Sequence, residues 1–197
     1  MKDIKTFGSK CLTAFSYLLV LGVVLLRIEL INPYNVVPVF SSLLFFAAVR
    51  PQRELVLPFC ALVGADIFVT THGYGYALTP DAVVTWAWYL LAILLGSGVL
   101  RNSRVLPRVA ACSLLVSVSF FLVSNYTVWA VWQMYPRTLV GLVACYAAAL
   151  PFFRNSLTSE LCSGVLLFGL MGRIGSMATF AVARKVHCEL FSVCRSE

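Results

Sequence analysis

SFFLVSNYTVWAVWQMYPRTLVGLVACYAAALPFFRNSLTSELCSGVLLF, residues 119–168, is almost wholly apolar, yet Asn125, Gln133, Arg137, Arg154, Asn155 and Glu160 recur along it. A polar group at membrane depth is costly unless something pairs with it, so such groups face a bundle interior and often serve function. In helical register Phe121, Asn125, Trp129 and Trp132 fall on a single stripe. Tyr135-Pro136 stops that helix, because proline drives the residue before it out of the α region. A shorter apolar run follows, Pro151 to Asn155 is expected to interrupt it, and a last helix descends. Helices lined with aromatics and amides and joined by broken helical pieces predict the wall of a small-molecule pocket.

Working outward, 60% of the 197 residues are hydrophobic and only 12% are charged, against roughly 25% charged in soluble domains. With a mean hydropathy of +0.90, this composition predicts an all-α, polytopic membrane protein. The length suits about six spans of roughly 20 residues. The formal charge of +7 does not indicate a nucleic-acid partner, since the basic residues sit in short clusters between apolar runs. Seven cysteines are scattered without a CxxC, and they read as small buried hydrophobes, not as a disulfide or metal site. No phosphate-cradling loop, nucleophile elbow or zinc-protease helix occurs, and no cofactor is expected.

In chain order, Lys2, Lys5 and Lys10 precede an apolar run over Cys11–Leu26. Arg27, Glu29 and Asn32-Pro33 follow it where a cleavage site would need small residues, so it is expected to be an uncleaved first span. The second run, Val36–Val49, carries Pro38 and reaches only about 21 Å, short of the roughly 30 Å hydrocarbon core. Two readings of it stand: a tilted neighbour, or an opening onto a cavity. Leu55–Thr71 is the third span and holds Asp66 near its end; the loop after it includes Tyr76. Span four, about Ala82–Leu100, begins with Trp86, Trp88 and Tyr89, partly an interfacial belt. Span five covers about Val109–Trp132.

Charge placement decides the topology. With six spans and the 138–150 piece re-entrant before the last helix, twelve Lys and Arg residues fall inside and three, Arg27, Arg137 and Arg154, outside. Making that piece a full span worsens the split to nine and six. The six-helix form with cytoplasmic termini is therefore expected. It divides the chain into a transmembrane domain, residues 1–172, and an interfacial or cytoplasmic helical tail, residues 173–197.

This order of parts resembles the substrate-binding S component of energy-coupling factor (ECF) transporters, over nearly the whole chain to about Gly172. The likeness rests on the proline-led second helix Val36-Val37-Pro38-Val39-Phe40, on Ser124-Asn125-Tyr126 late in span five, and on Leu150-Pro151-Phe152-Phe153-Arg154-Asn155 opening the last helix. More closely, Phe120–Trp129, Tyr135-Pro136-Arg137-Thr138, Gly141-Leu142 and Cys145-Tyr146 resemble a bacterial family of integral membrane proteins related to S components. The resemblance implies a six-helix bundle in the bacterial cytoplasmic (inner) membrane, a small-molecule ligand touched by Asn125 and Tyr126, and a shared energy-coupling module of membrane subunit and ATPases as partner. The chain departs from the pattern twice. Its first helix has no Ala-xxx-Ala docking pair, and Ser156 stands where riboflavin-type members have lysine, which implies a different ligand.

The residues themselves point to binding and translocation of a small, partly aromatic or polar solute, in an outward-facing pocket built from spans three to six. Asn125 would hydrogen-bond it, Trp129 and Trp132 would stack on it, Asp66 would pair with a donor, and Asn155 would close the site. Tyr76, Trp86, Arg137 and Glu160 fall in the same outer half under the twelve-to-three topology. For Asp66, pairing with Arg137 or Arg154 is the structural alternative. For the chain as a whole, the alternative is an assembly subunit of a membrane complex that binds no ligand. An enzyme is not expected, since Asp66, Glu160 and a peripheral His72 are all the bundle offers.

Overall fold

The computed structural model describes residues 2–29, 37–73, 75, 77, 79–132 and 134–193, with side chains described for residues 10–28 and, within the later segments, as far as residue 171. The described chain is mostly helical and contains no strand: α1 (Lys2–Glu29), α2 (Val39–Val49), α3 (Val56–Phe68), α4 (Pro80–Leu95), α5 (Leu106–Val131) and α6 (Leu139–Val193). Five segments are long and apolar enough to cross a membrane: Lys10–Ile28, Gln52–Gly73, Pro80–Leu100, Leu106–Val131 and Leu139–Met171. The protein is thus a multi-pass membrane protein by length and composition.

Prolines set several boundaries. Pro80 opens α4 and Pro107 sits in the first turn of α5, where a missing N–H costs nothing. Arg50, before Pro51, is extended at φ −95° and ψ 152° and ends α2. α5 stops at Trp132, which is extended at φ −86° and ψ 126°, where span five is expected to end and just ahead of Tyr135-Pro136. The break expected at Pro151–Asn155 does not occur, because α6 runs through Pro151 without interruption. A proline in a helix forfeits one bond to the carbonyl four residues earlier, a loss that membrane helices tolerate.

α2 is the hub. Its eleven residues rise only about 16 Å, and every residue from Val39 to Ala48 is buried. It packs against α1, α4, α5 and α6 and against a widened π-type turn, Gly96–Leu100, that continues α4. Phe45 meets Phe15 of α1 and Phe168 of α6 edge-on, at ring-centroid distances of 5.9 and 5.4 Å. Phe46 meets Tyr17 at 5.4 Å. The closest approach is at Gly96, where a Cβ would stand 2.6 Å from the Leu44 carbonyl oxygen and 2.8 Å from the Ala47 Cβ. The short run is thus an interior helix, packed on all sides by its neighbours.

The C-terminal carbonyls of α2 have no partners within the helix, and arginines from the next turn supply them. Arg101 donates to the Ala47 carbonyl at 3.2 Å and to that of Arg50, and Arg104 donates to Ala48 at 2.8 Å. Cations there also suit the negative end of the helix dipole. Beside them Arg50 donates to Glu54 at 2.7 Å and to the Thr13 hydroxyl at 2.5 Å, and the Tyr17 hydroxyl donates to the same Glu54 at 2.5 Å. These contacts lock α1, α2 and the start of α3 together at one end of the bundle.

Candidate functional site

Toward the opposite end two buried polar groups lie side by side. In the first, Arg27 near the end of α1 donates through Nε to Asp66 Oδ1 at 2.7 Å, and the Tyr89 hydroxyl of α4 donates to Oδ2 at 2.9 Å. Asp66 is 8% exposed and Tyr89 is 1% exposed. The expected partners of Asp66, Arg137 or Arg154, are replaced by Arg27. α1 packs along α3 and brings Arg27 to it, whereas Arg137 donates to the Ala130 carbonyl at 3.0 Å and Arg154 is exposed.

The second group forms at the N-terminus of α2. Pro38 cannot cap that helix with a side chain, and Glu160 reaches across from α6 to do so. Its Oε1 accepts the Phe40 N–H at 3.0 Å and its Oε2 accepts the Ser41 N–H at 2.7 Å. The Ser41 hydroxyl donates to the Glu160 carbonyl at 2.5 Å and also touches Oε2. A carboxylate at a helix N-terminus meets both unpaired N–H groups and the positive end of the dipole. Phe40 joins the two groups, since its ring lies 6.2 Å from that of Tyr89 and 5.2 Å from that of Phe120.

The structure therefore brings Asp66 and Glu160 into one buried neighbourhood. Trp86 belongs to it by register, since it stands one turn before Tyr89 on the same face of α4. Its indole nitrogen is buried and has no hydrogen-bond partner among the described residues.

The other expected site residues form a separate layer. Asn125 donates to the Phe121 carbonyl at 2.8 Å within its own helix. Phe121 stacks on Phe153 of α6 at 4.3 Å, and Cys145 of α6 donates to the Asn125 carbonyl at 3.6 Å, so the predicted stripe faces α6 in this stretch. Tyr126 is 53% exposed and lies 5.7 Å from Trp129. Trp129 donates to the Pro136 carbonyl at 3.0 Å, and Trp132 donates to Asp81 at the start of α4 at 3.3 Å. Asn155 is exposed on α6, and Tyr76 lies outside the described residues. Gly141 seats the turn before α6 so closely that a Cβ would fall 2.0 Å from the Pro136 oxygen.

The sequence marks Tyr89 as one of the aromatics opening span four, but it assigns no partner to Tyr89 or Arg27 and no role to Ser41 or to a serine pair on α5, Ser113 and Ser117. Arg27 reads from the sequence as a charge that ends span one on the outer side, and the two serines carry a usable signal, being four apart in an apolar run. Of the five cysteines described, all free, only Cys112 and Cys145 are buried, and Cys11, Cys60 and Cys162 are exposed. For those three the expectation of burial fails. Among the described residues no group of three or more His, Cys, Asp or Glu could hold a metal ion.

A family model described as "Family of unknown function (DUF6580)" matches residues 9–182, and the chain belongs to that family. No curated protein and no solved structure matches it.

Proposed function

We propose that this member of the family binds a small solute inside the membrane, in the manner of a substrate-binding subunit for uptake. The observation that carries the reading is the Trp86 indole N–H, buried with no hydrogen-bond partner among the described residues, one turn before Tyr89 of the Arg27–Asp66–Tyr89 group. A buried donor left unpaired costs about 1–3 kcal/mol, a cost that an acceptor on a bound solute would remove. Asp66 is already matched by a cation and a hydroxyl, which favours a neutral or zwitterionic solute. Asn125, with Tyr126, Trp129, Trp132, Arg137 and Asn155, would close over it from α5, the turn after it and α6, and Tyr76 from the loop after α3. The role has no catalytic step, and a shared energy-coupling module would supply any ATP hydrolysis.

Molecules that co-purify should appear by native mass spectrometry. Trp86→Phe should bind them about tenfold or more weaker. When empty, the same variant should lose only the packing of the indole's second ring, since the N–H has no partner among the described residues to lose. Repeated purification without any bound molecule, or undiminished binding by Trp86→Phe, overturns the reading.

Six spans with both termini cytoplasmic, the Arg27 end outward and residues 138–150 tucked at the outer side, belong to the same proposal. The cluster of Arg50, Arg53, Arg101 and Arg104 at the other end supports it. A variant keeping only Cys188 or Cys194 should react with an impermeant thiol reagent only after the membrane is opened. Labelling of intact cells would reverse the orientation.

A second reading, an assembly subunit, is favoured by one observation. Asn125, Trp129, Trp132 and Arg137 all donate to acceptors of their own chain. It predicts a stable larger complex on native gels in gentle detergent, and a solitary subunit there would count against it.

A further inference from the structure

The end of the bundle opposite the candidate site carries a surplus of positive charge. Arg50, Arg101 and Arg104 gather around the C-terminus of α2, where the two later arginines hold its carbonyls. Arg53 lies in the turn that follows α2, and Lys10 stands one turn before the Thr13 that Arg50 touches. Arg108 lies in the first turn of α5, four residues after Arg104. Against these six cations stand Glu54, which pairs with Arg50 at 2.6 Å, and the roughly half negative charge of the helix end. Lys10, Arg53 and Arg108 are exposed and enter no ion pair among the described residues.

The partner follows from the level at which this charge sits. Lys10 opens one membrane-crossing segment, Arg53 and Arg108 lie in the first turns of two others, and a further one ends at Leu100, immediately before Arg101. The cations therefore rim the bundle where hydrocarbon gives way to lipid phosphate. Apolar surface continues inward from them: Val56 and Leu57 are 63% and 53% exposed just after Arg53, and Leu94, two turns inside Arg101, is 66% exposed. A phospholipid uses both features, its phosphate among the guanidinium groups and its chains on the apolar surface. Free phosphate or an acidic protein segment uses only the first.

We propose that this basic rim is a binding surface for anionic phospholipids, whose phosphates are held by Arg53, Arg101, Arg104 and Arg108. A guanidinium fork matches two phosphate oxygens at once. Arg101 spends only Nη2 on the α2 carbonyls, so it is fixed in place with further N–H donors to offer. The proposal is independent of the solute site, and it holds whichever face of the membrane this end occupies.

The test uses protein purified in a neutral detergent at low salt, with dioleoyl phosphatidylglycerol, dioleoyl phosphatidylcholine or inorganic phosphate added at equal concentration. Native mass spectrometry reads retention, and thermal melting reads stabilisation. Phosphatidylglycerol should stay bound where phosphatidylcholine is stripped, and at a hundredfold excess over its Kd it should raise the melting temperature by about 5 °C. Arg53→Gln and Arg108→Gln remove side chains that bond to nothing among the described residues. Each should fold as the parent does and bind phosphatidylglycerol about fivefold more weakly. Arg154→Gln removes an equal charge from an exposed site on α6, six residues before Glu160 and so beyond the other end of α2, and should bind undiminished. Equal retention of phosphatidylcholine, an equal shift with inorganic phosphate, undiminished binding by Arg53→Gln and Arg108→Gln, or equal weakening by Arg154→Gln would each overturn the surface. So would the absence of any retention or shift, the result expected if the rim meets an acidic protein segment instead.

Discussion

Glu160→Leu is expected to destabilise the protein by about 2–4 kcal/mol. The substitution strips the Phe40 and Ser41 N–H groups of their acceptor, and each buried donor left unpaired costs about 1–3 kcal/mol. Against this, leucine relieves the desolvation of a buried carboxylate, which is why the lower half of the summed range is expected. The loss should fall on α2 and not on the ends of the bundle. Denaturant unfolding in detergent micelles would read it, with hydrogen exchange at residues 39–48 reporting where it acts. A variant as stable as the parent would mean that Glu160 is kept for something other than holding α2.

Gly96→Ala should cost about 3 kcal/mol, toward the upper limit for one added methyl in a packed interior. The reason is what the new carbon meets: a backbone carbonyl at 2.6 Å and another Cβ at 2.8 Å, neither of them the movable tip of a long side chain. Relief requires α2 and the Gly96–Leu100 turn to separate, which loosens the Arg101 and Arg104 contacts to Ala47 and Ala48 as well. Gly98, two residues on in the same turn, is the control. Nothing lies within 4 Å of a Cβ there, so Gly98→Ala should be within about 0.5 kcal/mol of the parent. Thermal melting of the two side by side tests the crossing, and equal effects would show that α2 and α4 do not meet as closely as described.

Most helices could be read from the chain because lipid-crossing segments announce themselves by apolar length. The expected span five, about Val109–Trp132, is α5 at Leu106–Val131 to within three residues at each end. Asp66 and Glu160 stood out for the same reason, as charges in apolar runs. Their partners did not. Glu160 meets Ser41 from 119 residues away, and Asp66 meets Arg27 from 39 away. Helix packing makes those pairings, and no local pattern carries that information. Pro151 misled in the other direction. A proline usually ends a helix in water, but where no water competes for the freed carbonyl the helix has nothing better to become.

The burial of α2 has a consequence for how the protein is made. At about 16 Å it is too short to lodge in a bilayer as a span of its own. Both of its polar ends are neutralised by residues synthesised later, the arginines at 101 and 104 and then Glu160. Until α6 emerges, the unpaired N–H groups of Phe40 and Ser41 have no acceptor from their final partner, and lipid tails can offer none. The N-terminus of α2 therefore reaches its final acceptor only once the last helix is in place. Biogenesis of this chain is retrospective: its central piece is among the first made and the last to be settled.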